Sequence, residues 1–566
     1  MKFENKPIFH KLLLSGAYIT AIALRLVRLG ALPLTDMEAS IALQALAVGQ
    51  KTDTIFSGHM TYVGLTGLDF FLFHAGNFLA RFWPALIGAL IVFIPFLFRN
   101  YIGTLPASIL SFILALSPEM VGLSRLIGSP MIAFVLLLLA LGLINQKKPI
   151  LSGVSFALAL MGGSGFWTGI VLIGLSLLTA KLVLQIPFEG FFGEFFKYKE
   201  DRVKFLIAFG LTLLLVAMGF SLAPEGLSGV FSGAVDFVRG FGMPYTKPFV
   251  LKPLVLAAYS LPAVIFGLWG GIRGFVKRSK LDIILLITAL ASFIYLLLYP
   301  NASPADIIWV TLPLWTLSAR VIAAVWRWPE ENKFVMVITS VMVVVVFAFT
   351  LLAMRSLVSP SINTEARLTT FIALAGGLVL MIALVLLVTY GWSEDVALPG
   401  LLMGLSAVVL LGMLSLTVRT TSISLETTHE LWHPRESSLS TQWLKVSLDR
   451  VLEWNKRTTM PVEIAVADFD TPGMRWVLRD YENVAFVPYV PPSSQPGILI
   501  SDTLTQPEIS NSYRGQDLVW SQTPDWQGMT PFQYLSWFMT REVPETAKEI
   551  IFWVRTDLMP DEQFSQ

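Results

Sequence analysis

The sequence predicts a polytopic α-helical membrane protein of about thirteen spans that carries a small C-terminal α/β domain. Three observations predict it. Hydrophobic residues make up 55% of the 566 residues and charged residues only 14%, against roughly 25% charged in a soluble chain. Apolar runs recur as far as residue 418, many of them near the ~20 residues that a bilayer crossing requires. Beyond residue 440 the composition changes, and short strand-like runs alternate with helical ones.

The N-terminal stretch 1–11 is short and basic, and an apolar run follows it. The run ends at Arg25-Leu26-Val27-Arg28 without a small-residue cleavage site, so it reads as a retained first span over 9–29 rather than a signal peptide. Further spans centre on 83–98, 105–123, 130–145, 150–163, 166–185, 204–222, 253–272, 282–299, 306–325, 334–354, 368–390 and 398–418. The second, fourth and fifth are short enough to be half-spans. Basic residues fix the orientation. Lys147-Lys148 and the stretches 197–204, 273–280 and 326–333 fall together on one side if the N-terminus is cytoplasmic. The opposite loops hold Asp36, Glu38, Asp53, Asp69, Glu225 and Asp236, and an odd span count places the C-terminal domain outside the cytoplasm. Two outer loops are long, 30–82 and 223–252, and long loops in compact architectures usually carry function. Leu68-Asp69-Phe70-Phe71-Leu72-Phe73 in the first suits a helix lying in the interface plane.

The domain division is then 1–419 for the membrane part, a Ser/Thr-rich linker over 420–440 and an extracytoplasmic α/β domain over 441–566. In the last, strands are expected at 462–466, 484–487, 498–501, 517–520 and 549–555. A helix opens at Thr471 as N-cap with Pro472 in its first turn, and a second covers 531–541. No internal repeat is visible, and spans 334–354 and 398–418 are almost free of charge. A secondary transporter, which usually shows repeats and mid-membrane ionisable groups, therefore ranks last. The chain has no cysteine, which excludes disulfides, thiolate metal sites and cysteine nucleophiles, and a net charge of +1, which gives no sign of a nucleic-acid partner.

The chemistry-bearing candidates cluster in the outer loops. Asp36 and Glu38 follow span one directly. Two carboxylates two residues apart in a loop or strand can point to one side and serve as a general base or bind a metal. Spacing alone equally allows two solvated loop acids. Arg25 and Arg28, three apart, read as one helix face that either snorkels to the interface or meets an anionic lipid phosphate. Arg81 and Arg125 end spans two and three, and Arg239, Lys247 and Lys252 share the second outer loop with Tyr245. Arginine's fork suits phosphate, though each of these residues alone also fits interface anchoring. His429-Glu430-Leu431-Trp432-His433 matches the zinc-protease motif, but Pro434 disfavours helical geometry at His433 and the flanks are linker-like, so the match is read as chance.

Four segments together carry a family resemblance. They are Thr35-Asp36-Met37-Glu38-Ala39, Arg81-Phe82-Trp83-Pro84-Ala85-Leu86-Ile87-Gly88, Leu114-Ala115-Leu116-Ser117-Pro118 with Ser124-Arg125, and Tyr299-Pro300 through Asp306 to Leu312-Pro313-Leu314. They resemble the GT-C superfamily of polytopic glycosyltransferases, of the protein O-mannosyltransferase and aminoarabinose-transferase type. With Tyr513-Arg514-Gly515 and Phe552-Trp553-Val554-Arg555, the chain is most similar to a bacterial flippase-associated, glycosyltransferase-like branch. The resemblance implies inverting transfer of a sugar from a polyprenyl-phosphate donor to a protein or glycolipid acceptor on the outer face. It makes Asp36 the first candidate base and Glu38 the second. The donor phosphate would fall to Arg125, Arg239 and Lys247, with Arg81, Arg28 and Tyr245 beside them. Many members carry an acid a few residues after the third-span arginine, where this chain has Leu126-Ile127-Gly128-Ser129-Pro130. That departure leaves a divalent metal possible rather than required, and keeps open an alternative in which the chain is a catalytically degenerate scaffold or an accessory to lipid-sugar flipping.

Overall fold

The computed structural model describes residues 7–184, 198–244, 251–325, 332–358, 364–392, 394–421, 430–431, 437–438, 440–455, 462–491, 493–503, 512–526 and 528–559. Each of the thirteen apolar stretches is helical. Among the described residues, eight helices are long and apolar enough to cross a membrane, or nine when the pair Thr104–Leu116 and Pro118–Ser124, bent by 56°, is taken as one span. The bend falls at Ser117, whose extended ψ of 120° is what a residue preceding proline prefers. Met131–Asn145 and Pro149–Leu160 have only 15 and 12 residues. At 1.5 Å per residue they reach roughly 22 and 18 Å, short of a ~30 Å hydrocarbon core. The second expected span is longer than its apolar run: it starts at Asn77 and continues to Leu97, so Arg81 lies inside its first turns.

The two long loops expected on the outer side are built structure rather than tethers. The first holds helices Asp36–Gln50 and Met60–Leu72, which pack on each other through Ala45, Val48, Gly67 and Phe70. The second holds the turn Pro224–Gly229 and the helix Ser232–Arg239. The two loops meet backbone to backbone, because a Cβ on Gly58 would lie 2.7 Å from the Gly233 Cα. Met60, Tyr62 and Val63 are buried by protein in this arrangement.

After Thr420, where the last long helix Glu394–Thr420 ends, a six-stranded sheet forms. Its strands are β1 (Ser437–Ser438), β2 (Ile464–Ala467), β3 (Val484–Val487), β4 (Ile498–Asp502), β5 (Tyr513–Pro524) and β6 (Glu545–Arg555), in the order β1-β5-β6-β4-β2-β3. β2 pairs in parallel with β3 and β4, setting Val466 between Phe486 and Ile500. β6 runs antiparallel to both β4 and β5, with Phe552 opposite Ile500. All four residues of β2 are buried, as expected of a parallel strand covered on both faces. The expected strands and both expected helices are present. A further helix, Thr441–Asn455, had not been expected. It places Leu444 and Leu448, both fully buried, against the sheet. The spacing Leu444, Leu448, Val451, Leu452 is its sequence signal.

Candidate functional site at the docked outer mouth

Thr35 to Glu38 is not an acidic loop but the start of a helix. Thr35 is the N-cap of Asp36–Gln50: its hydroxyl accepts from the Glu38 N–H at 3.3 Å, and the Glu38 carboxylate accepts from the Thr35 N–H at 3.2 Å. This is a capping box, and Thr-x-x-Glu was its signature in the sequence. The consequence corrects the expectation that the two acids share a side. At 100° per residue, helix positions two apart point in widely different directions. Glu38 turns inward and is 1% exposed, whereas Asp36 is only partly buried.

Glu38 meets Arg81 as a bidentate pair, Nε to Oε1 at 2.9 Å and Nη2 to Oε2 at 2.6 Å. The Ile127 N–H also donates to Oε1 at 3.3 Å. Arg81 gives its other donors to the carbonyls of Leu32 (2.7 Å), Pro33 (2.9 Å) and Leu29 (3.4 Å). All five of its N–H groups are thus engaged. A single buried pair clamps the loop between the first helix (Pro7–Leu26) and Asp36 onto the second span.

Arg125 does the same for helix ends. Its Nη1 donates to the carbonyls of Leu24 (3.1 Å), Arg25 (2.9 Å) and Val27 (2.9 Å), and its Nη2 to the carbonyl of Thr421 at 2.9 Å. The last carbonyls of a helix have no intrahelical partner. Arg125 supplies one to the end of the first helix and to the end of the last long helix together. Arg25 and Arg28 do not share a helix face: Arg25 is fully buried, and Arg28 lies past the helix end, exposed and in the left-handed region at φ 51°. Lys252 is also buried and donates to the Tyr299 carbonyl at 3.1 Å. Arg239 is exposed at the C-terminal end of its helix. Tyr245 and Lys247 lie outside the described residues, as do His429 and His433.

The soluble domain completes this mouth. The helix Pro472–Leu478 docks on the first outer loop, and its Gly473 N–H donates to Asp36 Oδ1 at 2.7 Å. Thr471 caps that helix as expected, accepting from Met474 at 3.2 Å. Asp36 thereby lies at two helix N-termini, its own and that of the docking helix, where partial positive charge favours a carboxylate. Its Oδ2 accepts no hydrogen bond from the described residues. Trp476 is 2% exposed, packs near Phe70 and donates from Nε1 to Asn77 at 2.9 Å. Arg479 stacks on Trp476 and donates to the Ala75 carbonyl at 2.7 Å; burial lowers its pKa.

Two further acids are buried, Glu119, which the sequence reading did not single out, and Glu430 of the chance motif match. Glu119 is 0% exposed, and its Oε1 accepts from Ser260 (2.8 Å) and Trp315 (3.0 Å), joining three helices. An acid inside the apolar run 105–123 was the available signal. Glu430 accepts from the Tyr259 hydroxyl, and Arg541 of the soluble domain lies over the same ring while donating to the Ala258 carbonyl. Among the described residues no three His, Asp or Glu side chains come together in a group that could hold a metal ion.

The fold has a counterpart among solved structures. ArnT from Cupriavidus metallidurans bound to undecaprenyl phosphate is similar over 98% of this chain and 99% of its own, with a TM-score of 0.54 at 14% identity. The chain shares the fold of ArnT. The apo form of ArnT gives a TM-score of 0.53 at 15% identity over the same extent. The Archaeoglobus fulgidus oligosaccharyltransferase in its apo form is less similar, with a TM-score of 0.44 and 12% identity over 85% of this chain and 64% of that one. No protein-family model and no curated relative matches the sequence. The expected resemblance to the aminoarabinose-transferase type is met in the fold, including the C-terminal sheet.

Proposed function

We propose that the chain is a membrane glycosyltransferase that moves a sugar, with inversion, from a polyprenyl-phosphate donor to a protein or glycolipid acceptor on the outer face. The observation that carries this reading is the state of Asp36: partly buried, oriented through one oxygen by the Gly473 N–H, with its second oxygen turned to no described donor. The full-length likeness to ArnT, solved with undecaprenyl phosphate, supports the donor class. Asp36 takes the proton from the acceptor hydroxyl as that oxygen attacks the anomeric carbon. The bond from that carbon to the phosphate oxygen breaks, and polyprenyl phosphate leaves with the electron pair. Glu38 gives way to Asp36 because both its oxygens are bound by Arg81. Arg81 and Arg125 hold the frame, and Arg239 and Lys247 with Tyr245, and Arg28 beside them, offset charge on the departing phosphate.

Asp36→Asn tests this. Asparagine keeps a carbonyl oxygen for the Gly473 N–H, so docking of the soluble domain persists while the base is lost. Transfer from a polyprenyl-phosphate-linked sugar by membranes carrying the variant is expected to fall about 10²–10⁴-fold. Undiminished transfer removes Asp36 from the role. The scaffold reading is favoured by the engagement of Glu38, Arg81 and Arg125 with protein groups, and it gains if the wild-type chain leaves every lipid-linked sugar untouched.

A further inference from the structure

At the end of the bundle away from Asp36 and Arg125 lies a cleft of about 360 Å³, within the size of small-molecule sites. Leu105 and Pro106 line it at the start of Thr104–Leu116, the helix whose other end leads through Ser117 toward Arg125. Arg273 and Lys277 enter from the end of helix Leu251–Val276 and the turn after it, Asp282 from helix Lys280–Leu298, and Arg320 from helix Ile308–Val325.

The charges do not cancel. Arg320 is held by Asp282, Nε to Oδ1 at 2.5 Å, and donates from Nη1 to the Ile102 carbonyl at 3.1 Å. Among the described residues Asp282 is the one acid in the lining, against three cations, a balance of +2. Arg273 and Lys277 are four residues apart, where like charges repel, and an anion between them relieves that repulsion. Neither makes a side-chain hydrogen bond or ion pair with the described residues. Arg320 has used three of its five donors and keeps two. Apart from Ser279, the remaining wall is apolar, Leu317 and Val321 among it.

We propose that this cleft binds a phosphate monoester borne by a lipid headgroup, in the leaflet opposite the candidate active site. A monoester brings a charge of about −1.5 to −2 at pH 7, which matches the cleft. The apolar wall suits the first carbons of a lipid and not a free ion. Basic pockets between membrane helices recognise headgroups in this way. The proposal does not depend on the catalytic reading.

The test uses the purified full-length chain in detergent. Phosphatidic acid, phosphatidylcholine and inorganic phosphate are titrated separately, with native mass spectrometry and melting temperature as readouts. Phosphatidic acid is expected to bind in preference to phosphatidylcholine. The pair Arg273→Ala with Lys277→Ala should weaken it at least about tenfold, while Lys204→Ala, an exposed cation elsewhere, should not. Exchanging the two cations, Arg273→Lys with Lys277→Arg, keeps the charge and should keep binding, and an unchanged melting temperature of the lipid-free double alanine variant excludes misfolding as the cause. Equal binding by wild type and the double alanine variant overturns the proposal, as does phosphatidylcholine binding as tightly as phosphatidic acid. Lipid retained against millimolar phosphate supports the lipid source; displacement by phosphate overturns it.

Discussion

The two ends of the helical bundle use positive charge in opposite ways. At the outer mouth, Arg81 gives all its donors to Glu38 and three carbonyls, and Arg125 closes the ends of two helices. At the far end, Arg273 and Lys277 face a cleft whose one acid among the described residues is already bound to Arg320. The sequence presents the same residue types at both ends. What separates them is where acceptors converge: at the mouth, carbonyls at helix ends and in the loop before Asp36 gather round Arg81 and Arg125, whereas at the far end Asp282 and the Ile102 carbonyl are both taken by Arg320. An arginine on which carbonyls converge is therefore first a cap, whereas Arg273 and Lys277 have no such acceptors among the described residues.

Substitutions can break this contrast or sharpen it. The largest effect is expected from Arg81→Ala, which strands the Glu38 carboxylate in a buried site; such a loss costs about 3–5 kcal/mol, readable as a drop in melting temperature in detergent. Trp476→Ala should cost about 3 kcal/mol by emptying the docking contact, and limited proteolysis should then release the soluble domain faster while the membrane part stays intact. Arg125→Ala abandons four carbonyl contacts and should cost roughly 1.5–3 kcal/mol; Arg125→Lys keeps the charge but not the fork and should recover only part of it.

Asp470, exposed on the soluble domain, is held below the usual carboxylate range by the hydrogen bond from Arg475, at 2.5 Å. Its folded pKa is depressed, so its contribution is complete above the ordinary value near 3.9 and fades as pH falls through the lower folded value. Asp470→Asn should cost less than about 1 kcal/mol at neutral pH, and the difference from wild type should vanish in melts below that range. The smallest effects belong to the far end: Arg273→Ala and Lys277→Ala should each change stability by no more than about 0.5 kcal/mol. A large loss at either would mean that these cations, too, are structural.

How much of this could be read beforehand follows from the range of the forces involved. Apolar length is local information: the thirteen apolar runs are helical, but among the described residues only eight or nine are long enough to count as spans. Turn chemistry is local too, and Thr471-Pro472 opened its helix as expected. The capping box at Thr35 and Glu38 was equally local, but two neighbouring acids drew attention as a pair and hid it. The pairing of Glu38 with Arg81, the caps made by Arg125 and the seat of Gly473 on Asp36 depend on contacts 43, 296 and 437 residues apart. No spacing rule encodes those. The candidate base was thus legible as a position, while the division of labour between Asp36 and Glu38 required the fold.

The bond between Asp36 and Gly473 also sets a clock. Asp36 leaves the ribosome early, yet its partner follows 437 residues later. At about 5–20 residues per second, roughly 20 to 90 s pass before the mouth can close. During that interval the first outer loop stands without its lid, and Phe70 and Asn77 without Trp476. A segment made late completes one made early, so a chain cut before Gly473 leaves its mouth open.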